Sequence, residues 1–234
     1  MRIALLGYGK MGKAIEKIAV SRGHTIILKV TEQTEDFNIN LADIAIDFSA
    51  PNAAVSNITK CLKNGVPVIS GTTGWLKDYD NIIALCEERD GAFIYASNFS
   101  LGVNIFFELN KNLAKMMKGL SQYKVTMEEI HHAQKLDAPS GTAITLAENI
   151  IEHSSYEGWE LGLSNDVNKI PINAKREENV PGTHSINYES SIDRIGITHK
   201  ANNREGFALG AIIAAEWLHG KTGIFTMKDV LNIG

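Results

Sequence analysis

Read for its apolar positions, the first third of the chain alternates short continuous hydrophobic runs with amphipathic stretches. Arg2 to Leu6 is an apolar run of strand length, and a helical repeat through Ile15, Ile18 and Ala19 follows it. After a second run, Thr25 to Val30, the alternation continues as strand 43–48 and helix 52–63, strand 66–69 and helix 79–89, then strand 92–95 and a helix from about Gly102 to Met117. Runs that are apolar throughout are buried on both faces, so this part predicts an open, mostly parallel sheet wound with helices on both sides. From about Val103 the pattern changes. Extended runs appear at 123–131, 169–174, 182–189 and 192–200, the last two joined by Ser190-Ser191 as a tight hairpin, with a helix at 142–152 between them. This predicts a second, α+β domain. Glu205 to His219 is an alanine-rich helix so apolar that it needs cover on several sides, and it is expected to return to the first domain, with 222–231 a short tail. The expected division is 1–102, with 205–234 packing back onto it, and 103–204.

Glycines sharpen the first domain. Gly7-Tyr8-Gly9-Lys10-Met11-Gly12 lies between the first strand and its helix with G-x-G-x-x-G spacing. The first glycine permits the turn, the second lets backbone approach a pyrophosphate, and the third lets helix and strand pack closely. The expected fold class is therefore α/β, a Rossmann-like doubly wound sheet followed by an α+β substrate domain, and the expected cofactor is NADH, NADPH or both. An acid about twenty positions past the glycines usually holds the ribose diol, which makes Glu32 the candidate; a solvated surface acid is the alternative. Its carboxylate would repel a 2′-phosphate, while Lys10, Lys13 and Lys29 stand near enough to offset the repulsion, so coenzyme preference stays open. Three further strand ends, Phe48-Ser49-Ala50-Pro51, Gly71-Thr72-Thr73-Gly74 and Ala96-Ser97-Asn98-Phe99-Ser100, are small and polar, as a coenzyme groove along one sheet edge requires.

Composition narrows the class. With 234 residues, a formal net charge of -4 and a pI near 6.0, the chain lacks the basic surface that nucleic acid or an anionic membrane demands. Cys61 and Cys86 sit beside Leu62 and Leu85 in predicted helices and read as reduced, packed thiols. With no apolar run of signal-peptide or membrane-spanning length, a cytoplasmic enzyme is expected.

The densest chemistry lies between Glu128 and Ala143, read as a loop joining a strand to a helix N-terminus. Ser140-Gly141-Thr142 at that helix start offers amides and hydroxyls to a carboxylate or phosphate, Lys135 adds a mobile positive charge, and His131 adds a proton donor that titrates near neutrality. Adjacent residues of a strand point to opposite faces, so His131 and His132 face one cavity only if the strand ends there. The other histidines, at 24, 153, 184, 199 and 219, show no metal-ligand spacing, and no metal is expected.

Glu129-Ile130-His131-His132-x-x-Lys135-x-Asp137-Ala138-Pro139-Ser140-Gly141-Thr142-Ala143 resembles the signature of the 4-hydroxy-tetrahydrodipicolinate reductases (dihydrodipicolinate reductases) of bacterial lysine and diaminopimelate synthesis. Gly7 to Gly12, Gly71 to Gly74, Ala96 to Ser100 with Gly102-Val103-Asn104, Val180 to Thr183, Ile197 to Ala201 and Phe207-Ala208-x-Gly210-Ala211 extend the resemblance along nearly the whole chain. It implies His131 as general acid/base, Lys135 as second proton donor and carboxylate partner, and His132, Ser140, Gly141 and Thr142 as the grip on a small dicarboxylate. It implies Gly7, Tyr8, Gly9, Lys10, Met11, Gly12, Glu32, Gly71, Thr72, Thr73, Ala96, Ser97, Asn98 and Phe99 as the cofactor site. It also implies a homo-oligomer, tetramer or dimer, built on the second domain. Two departures stand out: only about a dozen residues separate Thr183 from Ile197, where the family pattern carries a further hairpin, and Gln33 follows Glu32 where some members have arginine, which favours NADH. An amino-acid dehydrogenase of the same two-domain plan and a non-catalytic nucleotide sensor are the competing readings.

Overall fold

The structure, a computed structural model, describes residues 1–34, 36–203 and 205–233. Arg204 and Gly234, which end two of the expected domain spans, lie outside the described residues. The chain forms two compact units, Met1–Leu101 with Glu205–Gly234, and Gly102–Arg204.

The first unit holds six parallel strands in the order β11-β5-β4-β3-β1-β2. These are β1 (Arg2–Leu6), β2 (Thr25–Val30), β3 (Ile44–Asp47), β4 (Val68–Ser70), β5 (Ala92–Tyr95) and β11 (Gly223–Phe225). The central strands are buried along their length, as continuous Ile, Leu, Val and Ala runs require. Two helix layers cover the sheet. Helix α1 (Lys10–Ser21) and α6 (Glu205–Leu218) pack Ile15, Ala19, Ala208, Ala211, Ile212 and Ala215 against Ile3, Leu5, Ile44 and Ile46 on one face. On the other, α2 (Pro51–Lys63) and α3 (Tyr79–Glu88) pack Ile58, Cys61, Leu62, Ile82 and Cys86 against Ala4, Leu6, Ala45, Val68 and Phe93. Both cysteines are free and buried. The helix expected to return does so, and the expected tail is ordered: β11 joins the sheet beside β5, and α7 (Met227–Leu231) closes the chain with a Thr226–Asp229 capping box. From β1 the chain first pairs β2 on one side and then β3 on the other, so the sheet reverses direction at β1, where ligands of doubly wound sheets bind.

The second unit is a five-stranded mixed sheet, β10-β9-β6-β8-β7, comprising β6 (Lys124–His132), β7 (Gly158–Leu161), β8 (Lys169–Glu177), β9 (Thr183–Glu189) and β10 (Arg194–Lys200). Helices α4 (Leu101–Met117) and α5 (Gly141–Ile151) cover one face, where Phe106, Ala114, Leu146, Ala147 and Ile150 meet Val125, Met127, Ile170, Ile172, Ile186 and Tyr188. Two details differ from the sequence reading. Strand β6 continues through His132, so the loop of the dense segment is 133–140 rather than the whole stretch, and β7 is an added edge strand. Among the described residues, no helix is long and apolar enough to cross a membrane.

Candidate active site

In the first unit the glycine turn sits at the reversal of strand order, and each glycine has its own reason. Gly7 has φ +96°, and a Cβ there would lie 2.1 Å from the Phe48 carbonyl oxygen; on Gly12 it would lie 2.4 Å from the Gly7 carbonyl oxygen. A Cβ on Gly9 would meet nothing within 4 Å, and this open space is where a ligand has room to approach the backbone. The start of α1 has no side-chain cap and no acid in its first turn, so the amides of Lys10, Met11 and Gly12 are open to an anion. The Tyr8 hydroxyl donates to Glu16, and Lys29, 2.6 Å from Glu16 and 4.7 Å above the Tyr8 ring, is already neutralised. Glu32 is exposed just past β2. Thr73 and Ser97 are exposed and Ala96 half-buried, whereas Thr72 is buried, with its hydroxyl committed to other residues. Asn98 accepts from the Ser100 amide, and Phe99 is only 1% exposed, its ring 5.7 Å from that of Phe48. Phe99 therefore shapes this edge from within the core. A Cβ on Gly210 would fall 1.7 Å from the Phe99 carbonyl oxygen, so α6 presses directly on the same strand end.

In the second unit the alternation along β6 separates the histidine pair: Met127, Glu129 and His131 are buried on the helix-covered face, while Glu128, Ile130 and His132 take the other. His131 stays with Glu129, its Nδ1 3.4 Å from Oε2, and His132 lines a separate hollow with Gln134, Glu178 and Pro181. Strand register completes the cluster, because β9 sets His184 opposite Glu129 and β8 sets Arg176 opposite His131. The fully buried Glu129 accepts the Ser140 amide at 3.0 Å and two Arg176 nitrogens at 3.3 Å. Arg176 also donates to the Lys135 and Asp137 carbonyls at 3.2 and 2.6 Å, which ties the 133–140 loop to the same acid. His184 places Nε2 3.1 Å from Ser140 Oγ, and its ring stands edge-on to His131 at 5.0 Å.

Ser140 is the N-cap of α5: its Oγ accepts the Ala143 amide and its side chain is buried, which leaves the Gly141 and Thr142 amides as the open first turn. Lys135 holds Asp137 at 2.7 and 2.8 Å, and that ammonium holds the Asp137 carboxyl below its ordinary range. Burial, assisted by the charges of Lys135 and Arg176, lowers the pKa of His131, against the opposing pull of Glu129. Burial and these positive charges favour the neutral imidazole. Glu129, His131 and His184 offer one ligand atom each within 4.8 Å, a set a metal ion could use, but Arg176 and the Ser140 amide already satisfy the carboxylate. Three members of this cluster escaped the sequence reading as site residues. Glu129 was visible in the motif without a role, and His184 directly follows the Val180 to Thr183 motif; nothing local marks Arg176.

His184 carries a pH signature. Burial, with positive neighbours adding to it, pushes its pKa from the ordinary 6.5 to about 3. The folded chain refuses a proton that the unfolded chain accepts near 6.5, so this contribution to stability is full above that pH. It is lost as pH falls from there toward 3, at up to about 1.4 kcal/mol per pH unit. The thermal midpoint is expected to drop on acidification through this window and to drop less steeply in His184→Gln; parallel curves for the two proteins would remove His184 as the cause.

Comparisons with known proteins cover the chain almost end to end. The profile described as dihydrodipicolinate reductase, C-terminus, matches residues 102–231, and the one described as dihydrodipicolinate reductase, N-terminus, matches residues 19–99. A 4-hydroxy-tetrahydrodipicolinate reductase of Christiangramia forsetii is 61% identical, across 99% of this chain and 98% of that protein. One of Archaeoglobus fulgidus is 35% identical across 99% and 100%, in an alignment of 262 positions against the 234 residues here, so that relative carries insertions. In fold, the dipicolinate-bound dihydrodipicolinate reductase from Paenisporosarcina sp. TG-14 superposes with a TM-score of 0.77 over 97% of each chain at 23% identity. The chain belongs to the dihydrodipicolinate reductase family.

Proposed function

We propose that this protein catalyses the NADH- or NADPH-dependent reduction of 4-hydroxy-tetrahydrodipicolinate to tetrahydrodipicolinate, in lysine and diaminopimelate biosynthesis. The observation that carries this reading is a buried His131 set between Glu129 and His184 beside Lys135, in a chain 61% identical to a reductase of that name. The N-terminal unit is the nucleotide-binding one, and the glycine turn fits the coenzyme: tight at Gly7 and Gly12, open at Gly9, uncapped at α1. Gly7 to Gly12, Glu32, Gly71, Thr73 and Ala96 to Asn98 hold it, with Thr72 contributing its backbone amide alone and Phe99 supporting from the core. The bound coenzyme supplies hydride. On the substrate side, the Gly141 and Thr142 amides and the Lys135 ammonium hold a small dicarboxylate, such as the dipicolinate bound by the Paenisporosarcina relative. Two carboxylates close to His131 oppose the positive charges that depress its pKa, so substrate arrival favours its protonation; once the 4-hydroxyl has left as water, hydride adds to the resulting conjugated cyclic imine and the imidazolium delivers the proton that completes reduction. His132, on the other strand face, lines a separate hollow and is given no part in this proton transfer.

The test is a coupled assay in which the condensation product of pyruvate and aspartate semialdehyde is made fresh by its synthase and offered with NADH or NADPH. Coenzyme oxidation supports the reading. Binding without oxidation would identify a sensor, and reduction of NAD by aspartate alone an amino-acid dehydrogenase. Lys29 is committed to Glu16 and so offsets less of the repulsion between Glu32 and a 2′-phosphate, and Glu32→Ala is expected to weaken NADH more than NADPH in fluorescence titrations. Equal losses would place the ribose elsewhere. We read the protein as a homo-oligomer, dimer or tetramer, on the support of the uncovered polar face of the second sheet, where Thr126, Glu128, Ser185, Asn187 and Thr198 line a shallow hollow.

A further inference from the structure

Asp47, the last residue of β3, is completely buried, and among the described residues it has no ion-pair partner. A carboxylate taken out of water without a counter-charge is costly, and a position needed only for packing would be apolar. Four neutral donors hold it instead, two on each oxygen. Ser49 Oγ at 2.7 Å and Asn57 Nδ2 at 3.1 Å reach Oδ1, while Thr72 Oγ1 at 2.7 Å and Ser70 Oγ at 2.9 Å reach Oδ2. These donors come from three places: the connection after β3, the end of β4 with its following loop, and helix α2. The two loops are then tied to each other, because Thr72 Oγ1, donating to Asp47, accepts the Ser49 amide at 2.9 Å. The Asp47 carbonyl adds a bond from the Gly71 amide at 2.9 Å.

The consequence lies in what is left over. Every hydroxyl in this knot points inward to the acid, while the Thr72 and Thr73 amides have no partner among the described hydrogen bonds. The knot also abuts the glycine turn, since Phe48 backs both Gly7, through its carbonyl, and Gly71, through its ring. We propose that Asp47 is the positioning residue of the coenzyme site: without touching the coenzyme, it locks the 48–51 and 71–74 connections into the shape that receives a nicotinamide dinucleotide. This rests on the reading of the first unit as the nucleotide-binding one. Burial pushes the Asp47 carboxyl up and the four hydrogen bonds pull it back, as expected of an acid kept for its acceptor capacity.

The experiment compares wild type, Thr72→Val, Thr72→Ser and Asp47→Asn by NADH fluorescence titration, steady-state kinetics and thermal unfolding. Thr72→Val is isosteric and cuts the link between the loops; Asp47→Asn turns an amide NH₂ toward two of the donors. Each is expected to raise the NADH Kd and KM by about tenfold or more, with kcat at saturating NADH within about threefold of wild type. Thr72→Ser, which keeps the hydroxyl, is expected to bind as wild type does. Unchanged NADH affinity in Thr72→Val and Asp47→Asn overturns the proposal, and so does an equal loss in Thr72→Ser, which would make the site a packing position. Should Asp47→Asn fail to fold, Thr72→Val against Thr72→Ser decides alone. A wild type that binds neither NADH nor NADPH would instead overturn the nucleotide reading itself.

Discussion

Replacing His131 by alanine is expected to lower turnover by about 10²-fold or more while leaving the NADH dissociation constant unchanged. His131 is the one imidazole of the β6 pair on the buried face, its Nδ1 3.4 Å from Glu129, and its removal takes away the proposed proton donor, which belongs to the second unit. His132→Ala, from the opposite face, should cost far less. Lys135→Ala is expected to lower turnover comparably to His131→Ala, since the proposed function gives Lys135 both a positive charge for the dicarboxylate and a proton source. Stopped-flow or steady-state oxidation of NADH, with a parallel NADH titration, reads both parameters. Full turnover in His131→Ala would end the assignment.

Arg176→Ala is expected to have the largest effect on stability. It strands the fully buried Glu129, and breaking a buried ion pair by removing one partner costs about 3–5 kcal/mol. The same guanidinium holds the Lys135 and Asp137 carbonyls, so the loop that carries Lys135 loses its anchor and turnover falls as well. Arg176→Lys keeps the charge but not the fork, and should recover part of the stability and little of the loop geometry. Loss of the charge in Arg176→Ala has a second, opposite signature: the positive neighbour that helped depress His131 is gone, so the limb of the pH–rate profile belonging to His131 moves to higher pH. Urea unfolding and a pH–rate series test the two effects separately. A variant with wild-type stability and an unmoved profile would show that Arg176 does not support this cluster.

Much of the fold was legible because its central strands announce themselves. Arg2 to Leu6, Ile44 to Asp47 and Ala92 to Tyr95 are apolar on both faces, and each ends in small or polar residues. Two edge strands, one in each sheet, were not. Gly223–Phe225 is three residues of half-buried chain, and Gly158–Leu161 is half-exposed, so neither shows a period; only pairing with β5 and β8 makes them strands. The glycine turn and the Ser140 cap could be read locally, since their physics is local. The cluster around Glu129 could not: His184 lies 55 residues along the chain, and the register of β9 on β6 alone puts it opposite that acid. Arg176 likewise reaches its place by the parallel register of β8. The hydroxyls of Ser140 and Thr72, which the sequence offers to ligands, are spent inside the protein, and only their hydrogen bonds reveal it.

The discontinuity of the first unit bears on how the chain acquires its structure during synthesis. Residues 102–204 are contiguous and own all their core partners, so that segment can collapse as soon as it leaves the ribosome. The sheet face formed by Ile3, Leu5, Ile44 and Ile46 has been made earlier but must wait for Ala208, Ala211, Ile212 and Ala215 to cover it. Through that interval the nascent protein carries a folded insert after five strands of a six-stranded sheet, one of whose apolar faces still lacks its α6 cover.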